Sequence, residues 1–308
     1  RSQKEKSMTN DYLNETLIRY ARLTEENLAR LMDNLSEDSA YPHFKTLCDA
    51  MRYSLLAGGK RMRPALVYAF CSLFGGKIED AVSYACALEM VHTFSLIHDD
   101  MPCMDNDDLR RGKPTNHVVF GESCALLAGD SLLSYAFEVL PSETLSDRQN
   151  LRAVAALSHL CGPCGMCGGQ QIDLENEGKD IDLSLLQTLH AKKTGALIKC
   201  ACVLGCIAAG VEEDTPEYKS AVDYAASLGI AFQIADDILD VIGDEKKLGK
   251  KCGSDKKDHK NTYVTLLGLE QSKVLARELA LSARTAVGAY DGNRFLCELA
   301  DYTVMRET

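Results

Sequence analysis

Apolar side chains recur three and four residues apart along almost the whole chain, the period of a helix with one buried face. Between Met8 and Met32 they fall at Leu13, Leu17, Tyr20, Ala21, Leu28 and Leu31. Between His43 and Leu56 they fall at Phe44, Leu47, Met51 and Leu55. The polar run from Ser36 to Tyr41 separates these two helices, and Gly58-Gly59 closes the second. Pro64 and the apolar run Ala65 to Phe74 predict a helix with proline in its first turn. Glu79 to His98 is apolar nearly all round, which places it inside the fold. Further helices are predicted for Phe120 to Leu140, Asp147 to Gly162 and within Ile181 to Gly210. The last ones run from the Thr215-Pro216 start to Ile242, from Asn261 to Val287, and from Arg294 to Thr303. Gly243 to Lys260, lysine-rich and broken by glycines, reads as a mobile loop. Long period-two alternation is missing. The pattern predicts one all-α domain, 8–308, of about ten core helices, with Arg1 to Ser7 as an expression remnant.

Composition then narrows the function. The 308 residues carry a net charge of −11, which argues against non-specific nucleic-acid binding. The local basic clusters, Lys60-Arg61-Met62-Arg63 and Arg110-Arg111-Gly112-Lys113, therefore suit a small anion better. No apolar run reaches the length of a membrane span; Ala201 to Val211 is the longest candidate. The 13 cysteines are odd in number and scattered, many in apolar runs, which predicts buried free thiols and a reducing, cytoplasmic setting. Cys161, Cys164 and Cys167 have the spacing of a redox or cluster motif, but neither a βαβ context nor a fourth ligand accompanies them. Small, buried thiols beside Gly168-Gly169 that let helices pack closely are the preferred reading.

The densest chemistry lies between Ser95 and His117. Asp99, Asp100, Asp105, Asp107 and Asp108 stand just before Arg110, Arg111 and Lys113, so acid and base form two adjacent blocks. Carboxylates suit Mg²⁺, which is usually held by one or two of them plus substrate phosphates. Arginine suits phosphate. The stretch reads either as a site for a metal-bound diphosphate or as an acidic helix end followed by a solvated basic turn. Six residues separate Asp99 from Asp105, which on a straight helix sets them about 120° apart. Pro102 breaks the helix, so the chain can fold Asp105 back toward Asp99.

A second acidic set, Asp236, Asp237 and Asp240, has i,i+3 and i,i+4 spacing and shares one helix face among apolar neighbours. Like charges so placed need compensation that solvent cannot fully supply, and divalent cations would supply it. Two such sets could face each other across a bundle cavity, as metal sites in bundle cores do.

In this order the motifs resemble those of the trans-isoprenyl diphosphate synthases, most closely the bacterial-type farnesyl and the related geranylgeranyl diphosphate synthases. They are Gly-Lys-Arg-x-Arg-Pro at 59–64, Asp-Asp-x4-Asp at 99–105 with Leu-Arg-Arg-Gly at 109–112, and Gly-Gly-Gln at 168–170. Lys-Thr-Gly at 193–195 and Phe-Gln-x-x-Asp-Asp-x-x-Asp at 232–240 complete the series. The resemblance implies a helical bundle around a deep central cavity, usually homodimeric. It implies three Mg²⁺ ions, with Asp99, Asp105 and Asp236 as direct ligands and Asp100, Asp237 and Asp240 in the same network. Arg110, Lys193 and Lys250 would contact the allylic diphosphate; Lys60, Arg63, His92 and Arg111 would hold isopentenyl diphosphate. Thr194 and Gln233 would point oxygen lone pairs at an allylic cation, and Lys260 lies in the region that closes over the site.

The aromatic Phe94, five residues before Asp99, with Ser95 beside it, would form the floor that stops chain growth. On that basis farnesyl diphosphate is the expected product and geranylgeranyl diphosphate the alternative. A terpene cyclase would lack the second acidic set and the Lys60/Arg63 pair, and a non-catalytic subunit of a heteromeric synthase would have lost part of one set. Both sets are whole here.

Overall fold

The computed structural model describes residues 3–242 and 261–305, with side chains from residue 11 onward. The described chain is almost entirely helical. In order the helices are α1 (Gln3–Asn34), α2 (Tyr41–Leu55), α3 (Met62–Leu73), α4 (Val82–Asp99), α5 (Asn116–Phe120), α6 (Glu122–Val139) and α7 (Asp147–Cys161). They continue with α8 (Met166–Glu175), α9 (Leu183–Lys193), α10 (Gly195–Ala208), α11 (Pro216–Ile242), α12 (Tyr263–Leu267), α13 (Leu269–Val287) and α14 (Arg294–Met305). A two-residue hairpin, β1 (Leu109–Arg110) and β2 (Lys113–Pro114), is the sole sheet among the described residues.

The predicted elements are present, with differences that have local causes. Gly121 and Gly268 take φ of 84° and 82°, a left-handed conformation that interrupts the helices expected at 120–140 and 261–287. The stretch expected at 181–210 breaks at Thr194 into α9 and α10. α8 was not separately predicted, because glycines at 165, 168 and 169 lower helix propensity there. α1 begins at Gln3, so the described helix enters the segment read as a remnant.

α10 is buried from Ala196 through Ala208 except at Lys199, and α4 buries Tyr84 through Val91 without a gap. These two apolar helices form the centre of one large core that also takes in α1, α2, α3, α6, α7 and α14. A second, smaller core of Ile181, Leu186, Ile234, Tyr263 and Ala276 ties α9 and α11 to α12 and α13. Many cysteines follow the apolar reading: Cys71, Cys86, Cys200, Cys202 and Cys206 are buried free thiols. Cys164 and Cys167, expected to be buried beside Gly168-Gly169, are instead exposed, as is Cys103. Burial pushes Cys71 and Cys86 up to about 12, so both are inert thiols.

Candidate active site

α4 delivers the first acidic set at its C-terminus. Beyond Asp99 the chain turns back: the Asp105 amide donates to the Asp99 carbonyl at 2.9 Å, and the Asn106 amide to the Met101 carbonyl at 3.1 Å. The gap of six residues is thus closed by a turn, as the break at Pro102 allows. Burial pushes the Asp99 carboxyl up to about 6; Lys193 opposes this, Asp105 adds to it, and Arg110 opposes it. Asp100 is buried and bidentate with Arg110, whose Nε lies 2.8 Å from both carboxylate oxygens. Burial works against the Arg110 cation, but the hydrogen bonds and charge of Asp100 outweigh it and hold its pKa above the ordinary value. This bridge fastens the β1–β2 hairpin to the end of α4.

α11 delivers the second set. Asp236 and Asp237 line a cleft of about 260 Å³ together with Asp105 from the first set. Lys193, Thr194 and Gln233 line the same cleft. Asp237 is 5% exposed and accepts from the Tyr263 amide at 2.8 Å, which anchors the start of α12 to α11. Asp240 is buried one turn further along. Thr194 Oγ1 donates to Gln233 Oε1 at 3.2 Å, joining the α9–α10 break to α11.

Lys193 ends α9, where a cation complements the helix dipole. Its ammonium is 2.6 Å from an Asp173 carboxylate oxygen, and Asp173 also lines the cleft. Burial lowers the Lys193 pKa, but Asp173, Asp99 and Asp105 raise it further, so the net shift is upward. Asp173 lies three residues beyond Gln170, outside the motif that sequence reasoning singled out; the signal was a carboxylate one turn past Gly169. His190 was missed as well. It lines the cleft nine-tenths buried, and burial holds its pKa at about 4. Its Nδ1 and the hydroxyl of the neighbouring Tyr263 have no hydrogen-bond partner among the described residues.

The basic residues gather elsewhere. Arg61 is buried in a left-handed conformation with φ of 46°; it pairs with Glu89 at 2.7 Å and Glu25 at 3.2 Å. Its counter-charge is therefore internal, which corrects the expectation that an external anion offsets the whole 60–63 cluster. Arg63 Nη1 lies 3.3 Å from His92 Nε2. Burial, then Arg63 and Arg111, push His92 well below its ordinary value, so the ring is neutral and its Nε2 accepts. Burial also lowers Arg63, and its Nε has no hydrogen-bond partner among the described residues. Arg111 donates to the Gly58 carbonyl, which brings the hairpin against the end of α2. Lys60 turns away, toward Tyr302 on α14: its Nζ is 3.0 Å from the Tyr302 hydroxyl. Lys250 and Lys260 lie outside the described residues.

Phe94 is 6% exposed and meets the His98 ring edge-on at 5.7 Å. His98 in turn lies 3.1 Å from the Leu126 carbonyl on α6. By helical spacing Phe94 is about 140° around α4 from Asp99, whereas Ser95 is about 40° away.

The donor set fits a hard divalent cation, since carboxylate residues from both acidic sets line one cleft. Among the described residues no three ligating side chains meet closely enough to cage a metal alone. Water or ligand oxygens would complete the shell.

Residues 44–288 match the family model described as polyprenyl synthetase. The chain is 47% identical to the heterodimeric geranylgeranyl pyrophosphate synthase large subunit 1, chloroplastic, of Arabidopsis thaliana, over 89% of this chain and 76% of that protein. It is 47% identical to a geranylgeranyl diphosphate synthase of Cyanophora paradoxa, over 84% and 87% respectively. Its backbone superposes on an FPP/GFPP synthase from Zymomonas mobilis with a TM-score of 0.83 at 36% identity, covering 95% of this chain and 99% of that one.

Proposed function

Since the chain belongs to the polyprenyl synthetase family and is a prenyltransferase, we propose that the cleft between Asp105 and Asp236 ionises an allylic diphosphate for elongation by isopentenyl diphosphate. The allylic C–O bond breaks and diphosphate leaves with the electron pair. The isopentenyl double bond attacks the allylic cation to form the new C–C bond, and the proton released passes to a diphosphate oxygen.

The observation that carries this reading is that carboxylates from both acidic sets line one cleft with Lys193 among them. Asp99, Asp105 and Asp236 would hold Mg²⁺, three ions per site by the family resemblance, with Asp100, Asp237 and Asp240 behind them. Bound Mg²⁺ supplies charge stabilisation on the departing diphosphate. Lys193 adds a mobile cation to the same end. Thr194 and Gln233 present dipoles toward the carbocation, and the apolar helices around the cleft exclude the water that would quench it. Arg63, His92 and Arg111 receive the isopentenyl diphosphate, and Lys60 joins them by leaving Tyr302.

Incubation with Mg²⁺, isopentenyl diphosphate and geranyl diphosphate tests the reading. Pyrophosphate release that needs both substrates is expected. Release without isopentenyl diphosphate identifies a cyclase instead, and binding without turnover a non-catalytic subunit.

Geranylgeranyl diphosphate is the proposed main product, supported by the names of the relatives at 47% identity and by the small Ser95 nearest the Asp99 face. Farnesyl diphosphate is the second reading, favoured by the aromatic ring of Phe94. Chromatography of products from wild type and Phe94→Ala separates them: a C15 product that lengthens in the variant establishes Phe94 as the floor, and an unchanged C20 product removes it.

A homodimer is proposed from the uncovered Val118, Val119, Leu126 and Leu127 on α5 and the start of α6. Leu127→Glu should then give a monomer by sedimentation. The free thiols support a reducing compartment, cytoplasmic by the sequence expectation, although the Arabidopsis relative is named as chloroplastic. No described helix is long and apolar enough to cross a membrane.

A further inference from the structure

We propose that Asp173 is a positioning residue that holds the Lys193 ammonium against α8 and so keeps it off the carboxylates of Asp99 and Asp105. The inference rests on the reading above, that those carboxylates and a diphosphate meet in this cleft.

The backbone sets up the pair. A β-carbon on Gly169 would lie 2.1 Å from the Lys193 amide nitrogen and 2.6 Å from its Cα, so α8 rests directly on the last residue of α9. Asp173 is four residues beyond Gly169, on the same face of α8, and comes up beside the Lys193 side chain. The 2.6 Å ion pair follows from that contact.

Three carboxylates compete for this one ammonium. Asp105 lines the same cleft as Lys193 and Asp173, and the Asp105 amide is hydrogen-bonded to the Asp99 carbonyl. The charges of Asp99 and Asp105 both act on Lys193. A lysine head is a compact point charge on a flexible stem and goes to the strongest partner within reach. Asp173 prevails because it alone makes the short, charge-assisted hydrogen bond. Remove it, and the ammonium relaxes toward Asp99 and Asp105. There it acts as an internal counter-ion and competes with the divalent cation those carboxylates would bind. With Asp173 in place, Lys193 stays at the rim of the acidic cluster, available to an arriving diphosphate.

Calorimetric titration of inorganic pyrophosphate at a series of Mg²⁺ concentrations tests this, on wild type, Asp173→Asn, Lys193→Ala and the double variant. Asp173→Asn should raise the Mg²⁺ concentration for half-maximal pyrophosphate binding about tenfold, the scale of one charge-assisted hydrogen bond. The double variant should return to the Mg²⁺ requirement of Lys193→Ala, because no ammonium is left to compete. In steady-state assays excess Mg²⁺ should restore the kcat of Asp173→Asn to within about twofold of wild type. Asp173→Glu, which keeps the carboxylate, should need no extra Mg²⁺. Asp173→Ser, with the same expected shift, replaces Asp173→Asn if that variant melts early. An unchanged Mg²⁺ requirement in Asp173→Asn overturns the proposal. So does an equal shift with and without Lys193, which would make Asp173 a metal ligand in its own right. Failure of wild type to bind pyrophosphate at any Mg²⁺ concentration would overturn the functional reading beneath it instead.

Discussion

The two charged regions of the molecule are strained in opposite directions. At the end of α4, burial, with Asp105 adding to it and Lys193 opposing it, pushes Asp99 up to about 6. At the basic end, burial and neighbouring guanidinium groups push Arg63, Arg111 and His92 down. Each region is thus poorly solvated and crowded with its own sign of charge, and each would be relieved by a ligand of the other sign. Their internal compensation differs. The cleft has cation support from Lys193, paired with Asp173 on the cleft's own lining, whereas the basic end relies on the Arg61–Glu89 pair buried in the core. On the proposed reading the acidic region would take an exchangeable cation, and the basic region would meet an anion directly.

The largest expected effect that could break this contrast is on rate. Asp105→Ala and Asp236→Ala, one from each acidic set, should each lower kcat about 10²- to 10³-fold, the loss typical of one transition-state charge stabiliser. If only one matters, the two sets do not share a ligand. Next is stability. Glu89→Gln leaves Arg61 without its buried partner and should cost about 3–5 kcal/mol by chemical denaturation. An unchanged midpoint would mean that Glu25 alone suffices.

Third, Arg63→Met should raise KM for isopentenyl diphosphate about 10- to 100-fold, the value of a charge-assisted hydrogen bond, and leave KM for the allylic substrate within about twofold. Equal effects on both would merge the two regions into one site. The smallest effect sharpens the comparison through pH. Because the folded-state pKa of Asp99 is raised, the stability it contributes is complete below its ordinary 3.8 and is lost as pH rises through about 6. Asp99→Asn should therefore raise the melting temperature of the ligand-free protein by about 3 °C at pH 7.5 and by nothing at pH 3.5. A lower melting temperature at pH 7.5 would mean that the ionised carboxylate is well accommodated.

Much of this was legible in the sequence because helical period and motif spacing are local properties. The inner placement of α4 followed from its apolar circumference, and the fold-back of Asp105 from Pro102. What escaped the sequence depends on contacts between distant segments. α8 hid behind three glycines whose value lies in packing, Gly169 against Lys193 above all. Asp173 hid with it, and the inward turn of Arg61 could not be told from an outward one without Glu89, 28 residues away. Lys60 looked like part of one basic cluster with Arg63, yet a neighbour from α14 draws it aside. Phe94 shows the same limit: its distance from Asp99 along the chain was clear, but its contact with His98 was not.

The most direct test of the shared-ligand claim is pyrophosphate binding by calorimetry, with and without Mg²⁺, in wild type and in the two cleft variants, one from each acidic set. Binding that requires Mg²⁺ and is lost alike in Asp105→Ala and Asp236→Ala is the expected result. Binding that is indifferent to Mg²⁺, or that survives the loss of either carboxylate, would contradict it.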